Sequence, residues 1–307
     1  MPEPATRHGR DGAAITVPPS FRAMPRWWHD VAGREWLDRL PGLVSAHCAR
    51  WGLVVDGPCR HGSNALVVPV LQGSRPAVLR LSPPGDDIAG EVAALAHWDG
   101  RGVVKLLAAD PAEGSMLLER LDPSRSLATT PLPEAAATLG RLARELAVPA
   151  PEDVLSTSEI AAEEAAHFER RWQALHEPVP EVLLTAATAA ARRRADCDPG
   201  SSSVDGDLHY EQVLTGERHR WTVVDPVLLC GDIEYDIGRA LWSRLDEMPE
   251  DRDVHRAVEA FVAAAGVPRS RARDWVLVRS MSYLLWGLER GLTEDPPRCH
   301  RLLELFA

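Results

Sequence analysis

Three side chains within residues 204–226 could do chemistry together: Asp207, Gln212 and Asp225. Asp207 lies in a polar segment, Asp205-Gly-Asp-Leu-His-Tyr-Glu-Gln212, and Asp225 follows the apolar run Trp221-Thr-Val-Val224. Between them the chain reads as a short strand over 212–214, a tight turn at Thr215-Gly216 and a second strand over 221–224, which is a hairpin signal. A hairpin folds the chain back, so Asp207 and Asp225 are expected near each other at its open end. Two carboxylates beside a side-chain amide suit a divalent ion and a hydroxyl group. Mg2+ takes hard oxygen ligands, usually one or two carboxylates plus substrate phosphates. Asp225, behind Val223 and Val224, would be costly to bury without such a partner.

The elements that must position these groups can be read in order. Residues 1–24 are rich in Pro, Gly and Arg and are expected to form a flexible arm. From Pro25 the spacing of Trp28, Val31, Trp36, Leu37, Leu40, Val44 and Trp51 predicts a helical layer. Strands are expected over 53–55, 64–71 and 76–81, then over 103–108 and 115–118. Gly57-Pro-Cys-Arg-His-Gly-Ser63 is a turn that could cover a phosphate, although it lacks a full Gly-x-Gly-x-x-Gly. Asp86-Asp87 precede the spaced apolar residues Ile88, Val92, Leu95 and Trp98, predicting a capped helix with Glu91 turned toward the sheet. Beyond residue 130 helix-period patterns cover 133–146, 159–175, 182–195, 235–245, 254–265, 270–290 and 297–305, interrupted by the hairpin.

At these residues a family resemblance appears. Asp205-Gly-Asp-Leu-His-Tyr-Glu-Gln212 resembles the His-Gly-Asp-Leu-His-x-x-Asn loop of aminoglycoside phosphotransferases. Val224-Asp-Pro226 and Gly231-Asp-Ile-Glu-Tyr-Asp-Ile-Gly238 are similar to that family's metal-aspartate and Gly-Asp-x-x-x-Asp segments. Leu66-Val-Val-Pro-Val70 and Met116-Leu-Leu-Glu-Arg-Leu121 extend the likeness, over about residues 50 to 290, to the streptomycin 6-phosphotransferase and hydroxyurea phosphotransferase branch. The resemblance implies an α+β, bilobal protein-kinase-like fold: a small antiparallel-sheet N-lobe with one helix and a mainly helical C-lobe. The expected division is a flexible arm over 1–24, an N-lobe over 25–121 and a C-lobe over 122–307, with a ligand cleft between the lobes.

It further implies transfer of the ATP γ-phosphate to a hydroxyl, chemistry that asks mainly for positioning and charge neutralisation. Asp207 takes the catalytic position, while Asp225 and Gln212 take the Mg2+ ligand positions; Gln212 replaces the family's asparagine with a carbonyl one methylene further out. Arg80 stands at the family's lysine position on the third strand, with Glu91 as its partner, and arginine is bulkier and not equivalent to lysine. Ser63 falls in the phosphate-covering turn, and the backbone near Glu119 and Leu121 would meet the adenine. Asp236 is expected to anchor the catalytic loop through backbone hydrogen bonds, with Asp205 and His209 as scaffolding. Asp232, Trp242 and Asp246 fall where an acceptor could bind, with loop tie, core packing and a solvated acidic face as their respective alternatives.

Composition sets bounds. The 307 residues suit one two-lobed enzyme, and a net charge of −11 spread along the chain disfavours nucleic acid and suits a cationic small molecule such as an aminoglycoside. Five scattered cysteines without a Cys-x-x-Cys pair form neither a disulfide framework nor a zinc site. No apolar run reaches the ~20 residues of a membrane span, and the first residues lack a signal-peptide core. A cytoplasmic protein, monomer or weak dimer, is the expectation. Two competing readings remain at this level. Arg80 and Gln212 allow a nucleotide-binding homologue with impaired catalysis, or a kinase for another small molecule such as hydroxyurea or a peptide antibiotic. Asp205-Gly-Asp-Leu-His209 alone also matches a metallophosphoesterase-like metal site, but the further ligand motifs of that chemistry are missing.

Overall fold

The computed structural model describes residues 15–27, 30–197 and 200–307. The chain divides into two compact units, Met1–Val92 with Lys105–Arg120, and Ala93–Val104 with Leu121–Ala307.

The first unit begins with the short helix α1 (Pro19–Arg22), a 3-10 turn at Pro25–Trp27 and the long helix α2 (Val31–Trp51). The Asp30 carboxylate accepts the Gly33 N–H at 2.8 Å and starts α2; Gly52, at φ 64°, stops it in the left-handed conformation that glycine adopts without strain. Strands β1 (Leu53–Val55), β2 (Arg60–His61), β3 (Leu66–Gln72) and β4 (Arg75–Leu81) follow, then helix α3 (Ile88–Trp98), β5 (Leu106–Asp110) and β6 (Ser115–Glu119). The strands form one antiparallel sheet in the order β1-β3-β4-β6-β5, with β2 added beside β3. The two-residue strand β2 was not expected.

Period-two alternation gives this sheet two different faces. Leu66, Val68, Val70, Ala77, Leu79, Leu81 and Leu117 are buried in one apolar cluster with Phe21, Trp27, Trp36, Leu37, Leu40 and Val44. Phe21 packs edge-on to Trp27, with ring centroids 5.4 Å apart, and the Trp27 indole N–H donates to the Phe21 carbonyl at 2.6 Å. Helical aromatics therefore seal one face. The other presents half-buried Val67, Pro69 and Val78 together with Arg80.

This packing corrects the expected arm. Residues 1–14, and Trp28 of the predicted helical layer, lie outside the described residues, but Val17 and Phe21 are buried core residues. An unpatterned, proline-rich sequence hid them because a single aromatic side chain carries no period.

In the second unit, β7 (Asp122–Ser126) is followed by helices α4 (Leu132–Leu146), α5 (Thr157–Ala174) and α6 (Glu181–Ala195). A capping box, Ser156 with Glu159, starts α5. Then come β8 (Ser203–Asp205), a 3-10 turn at Tyr210–Gln212, β9 (Val213–Thr215), β10 (Thr222–Val223) and β11 (Leu228–Cys230). Helices α7 (Ile237–Ser243), α8 (Asp251–Ala265), α9 (Arg269–Glu289) and α10 (Asp295–Phe306) complete the chain. The predicted hairpin is β9–β10, paired Val213 with Val223 and Leu214 with Thr222. Its outer neighbours differ from expectation. β7 extends it on one side, and Val103–Val104, predicted to open a strand of the first sheet, bridge to Val223 instead. β8 pairs with β11, joining Asp205 to Leu228. No helix among the described residues is long and apolar enough to cross a membrane.

Phe21→Ala is expected to cost about 3–5 kcal/mol of stability, the usual range for emptying a buried aromatic site. Urea unfolding of wild type and variant measures it. A loss under about 0.5 kcal/mol, the scale of a surface change, would mean that residues 15–24 do behave as a free arm.

Candidate active site

The catalytic-loop candidate is built from backbone ties inward. At the end of β8 the buried Asp205 carboxylate accepts the Asp207 N–H at 3.2 Å and the Val227 N–H at 3.0 Å through the same oxygen. Burial drives the Asp205 carboxyl well above the ordinary carboxylate range, with neighbouring Asp236 and Asp207 adding to the effect. Asp236, at the start of α7, accepts the Leu208 N–H at 2.9 Å, the anchoring expected of it. Its other oxygen takes a 2.9 Å hydrogen bond from Arg279 on α9. Arg279 is held by Tyr235 as well, through a 3.0 Å bond to the hydroxyl and a position 4.4 Å from the ring centroid. Burial pushes the Asp236 carboxyl up to about 7 against the opposing pull of Arg279. Gly238 lets α9 come this close: a Cβ there would meet the Arg279 Cβ at 2.9 Å.

On this frame Asp207 keeps a third of its side chain exposed and is gripped from two sides. Gln212 Nε2 donates to one carboxylate oxygen at 2.9 Å, and Arg239 Nε donates to the other at 3.1 Å. His209 lies beside them, its Nε2 3.9 Å from the Asp207 carboxylate. Burial lowers the His209 pKa, and Arg239 lowers it further. A neutral imidazole beside a charged carboxylate is the expected scaffold.

The hairpin carries Asp225 back to this loop, as its sequence implied. Val224 N–H donates to the Gln212 carbonyl at 2.8 Å, and the Asp225 charge is felt at His209. Asp225 has φ 52°, a left-handed conformation that non-glycine residues seldom hold. Such backbone strain concentrates at ligand clamps and active sites. The residues also pass a chemical test for an ion. With its amide nitrogen on Asp207, Gln212 turns Oε1 inward, buried and without a hydrogen-bond donor. An orphaned buried carbonyl is what a hard cation would satisfy. Among the described residues no three His, Cys, Asp or Glu side chains gather as a metal cage; Mg2+ does not require one when substrate phosphates complete its shell.

The first unit contributes the second predicted group. Arg80 Nη1 donates to Glu91 Oε2 at 2.6 Å, both side chains being nearly buried. Asp87, rather than Asp86, caps α3 through the Gly90 N–H, and Asp86 pairs with Arg26 at 3.3 Å. Glu119 uses its carboxylate to accept the Lys105 N–H at 2.9 Å and donates its own N–H to the Lys105 carbonyl at 3.0 Å, so it braces the chain where β5 begins and β6 ends. Leu121 is half-buried after β6, and Ser63 is exposed in the turn between β2 and β3.

Two of the three acceptor candidates are corrected. Asp232 is buried, accepts the Trp275 indole N–H at 2.9 Å and faces Arg271 at 3.4 Å and Arg194 at 3.7 Å. Burial and these partners make it a tie between loop and helices. Trp242 is fully buried and stacked on Tyr283 at 4.7 Å, which makes it core. Asp246 stays exposed, ion-paired with Arg298. Sequence reasoning missed Arg239 and Arg279. Arg279 had a readable signal, the one charged residue in the otherwise uncharged and largely apolar stretch Trp275–Leu285 of α9, which must find a buried partner. Arg239 had only its place three residues after Asp236.

With this geometry in hand, similarity to known proteins becomes informative. The family described as aminoglycoside/hydroxyurea antibiotic resistance kinase matches residues 50–291. The chain is 38% identical over 267 residues to the streptomycin 6-kinase of Streptomyces glaucescens, covering 84% of this chain and 86% of that one. It is 36% identical over 304 residues to the hydroxyurea phosphotransferase of Kitasatospora aureofaciens, covering 94% and 85%. Its fold matches a thermostable mutant of aminoglycoside phosphotransferase APH(4)-Ia, in ternary complex with ADP and hygromycin B, with a TM-score of 0.60 at 16% identity over 86% of this chain and 98% of that one. The choline kinase LicA from Streptococcus pneumoniae matches with a TM-score of 0.57 at 13% identity over 87% and 99%. The fold is thus protein-kinase-like, and the chain belongs to the aminoglycoside/hydroxyurea antibiotic resistance kinase family.

The Asp236 carboxyl generates a pH prediction. Its pKa is raised from 3.8 to about 7 in the folded chain, so between those values the folded state holds a proton that the unfolded state has released. The group's stabilising contribution is therefore full below pH 3.8 and lost as pH rises through about 7. Asp236→Asn cannot ionise. The difference in unfolding free energy between wild type and this variant, followed by urea titration, is expected to shift against wild type across that window. A difference that stays flat with pH would mean Asp236 is ionised throughout.

Proposed function

We propose that the chain is an ATP-dependent O-phosphotransferase acting on a hydroxyl of a small cationic antibiotic, with streptomycin-type aminocyclitols as the acceptor class. The observation that carries this reading is the Asp207 carboxylate, partly exposed yet held between the Gln212 amide and the Arg239 guanidinium. A carboxylate so oriented can accept the proton of an acceptor hydroxyl as that oxygen bonds to the γ-phosphorus. The bond from the γ-phosphorus to the β–γ bridging oxygen breaks in the same displacement, and ADP leaves with that electron pair.

Family membership supports the reaction class, and the names of the relatives support the acceptor class. Asp225 and the orphaned Gln212 Oε1 would hold Mg2+, which when bound neutralises charge on the nucleotide phosphates. The ion-paired Arg80 would contact those phosphates, oriented by Glu91. The net charge of −11 favours a cationic acceptor. The hydroxyurea phosphotransferase, 36% identical over 94% of this chain, keeps hydroxyurea as the second acceptor to test.

The test is incubation with Mg-ATP and a panel of aminoglycosides, peptide antibiotics and hydroxyurea, read by mass spectrometry for a gain of about 80 Da, one HPO3. Streptomycin is expected to gain it. Asp207→Ala is expected to slow the reaction about a hundredfold or more, the scale of a lost general base. Product formation that is indifferent to Asp207→Ala would overturn its role. Absence of both product and nucleotide binding in the wild type would overturn the kinase reading.

A further inference from the structure

We infer that Arg60 is a second phosphate-binding cation, working beside Arg80; this rests on the nucleotide reading of the first unit given above. The register of the sheet places it. Arg60 pairs with Val67, and Val67 pairs with Arg80. Residues directly opposite in antiparallel strands project from the same face, so Arg60, Val67 and Arg80 form one row across three strands. With adjacent strands spaced about 4.8 Å apart, the two arginines leave the backbone about 10 Å from each other, on either side of β3.

His61 gives an independent check on that orientation. It pairs with Leu66, a residue of the sealed face, and its ring lies 5.0 Å from that of Phe21 in the helical layer. Alternation then turns Arg60 to the opposite face, the one that carries Arg80.

Arg60 is also uncommitted and well supported. Its side chain is exposed and, among the described residues, has no hydrogen-bond or ion-pair partner. The turn bearing it is fastened on both flanks: Ser20 Oγ lies 2.7 Å from His61 Nε2, and Arg26 Nη1 donates to Asn64 Oδ1 at 2.6 Å. Arg26 reaches Asp86, just before α3, through its other terminal nitrogen. The segment 20–26 thus joins the turn that carries Arg60 to the helix that carries Glu91.

Charge balance supplies the need. Arg80 is already paired with Glu91, so that couple brings no net charge to a polyanionic triphosphate. A second arginine in the same row would supply the missing positive charge and a planar fork of donors suited to phosphate oxygens.

The test compares Arg60→Gln and Arg60→Lys with Arg75→Gln, which removes a charge from the hairpin end of the same sheet. A non-hydrolysable ATP analogue and adenosine are titrated by calorimetry, and KM for ATP is measured separately from kcat. Arg60→Gln is expected to weaken the analogue about tenfold, the effect of losing one contact between charged groups, and to raise KM to a similar degree. Adenosine affinity and kcat should stay within about twofold by the same reasoning, because that contact is made only to the phosphates. Arg60→Lys should recover part of the loss and Arg75→Gln should behave as wild type. Unchanged analogue affinity in Arg60→Gln would overturn the inference, as would an equal loss for adenosine, which would mark a distorted turn. A wild type that binds neither ligand would overturn the kinase reading itself, and the role of Arg60 with it.

Discussion

The buried Asp236 carboxylate is the constraint on which the candidate catalytic loop depends. One oxygen receives the Leu208 N–H and the other receives Arg279. Where the pair is ionised Arg279 is not expendable, because removing one side of a buried ion pair leaves an uncompensated charge and typically costs about 3–5 kcal/mol. The arrangement fixes the backbone immediately after Asp207 to two elements, the start of α7 and the middle of α9. Tyr235 and Gly238 complete it, one by packing on the Arg279 guanidinium and one by leaving room for α9 to approach.

With the backbone held, the orientation of Asp207 reduces to its two side-chain partners. Gln212 and Arg239 occupy one carboxylate oxygen each, so the group arrives at its task already oriented. Fixed dipoles and charges need no reorganisation at the moment of reaction, which is the physical basis of electrostatic preorganisation. The glutamine in place of asparagine is accommodated in the same way. Its nitrogen donates to Asp207 while its oxygen sits buried with no donor.

The first unit solves a different problem with the same means. Its sheet is sealed on one face by Phe21, Trp27, Trp36 and their aliphatic neighbours, which leaves the other face to carry polar groups. There Arg80 and Glu91 form a nearly buried pair. A lysine would present a compact point charge; an arginine is permanently charged and offers a fork of donors, of which one meets Glu91.

The sequence by itself determined the hairpin, the core strands of the first sheet and most helices of the second unit, because period and turn chemistry are local properties. Residue type and spacing within a motif, which are local too, singled out Asp207, Gln212 and Asp225, while Arg80 and Glu91 came from the family resemblance. Only the tertiary structure decided who partners whom. Arg279 lies 43 residues from Asp236 and Arg239 lies 32 from Asp207, and no period links such positions. The same holds for Phe21, whose burial depends on a sheet formed later in the chain, and for Trp242 and Asp232, whose chemistry suited an acceptor site until packing enclosed them. β2 escaped notice for a related reason: two residues are too few to show alternation, and only pairing with β3 makes them a strand. A local pattern selects a face, whereas the partner of a buried charge is set by which distant elements pack against it.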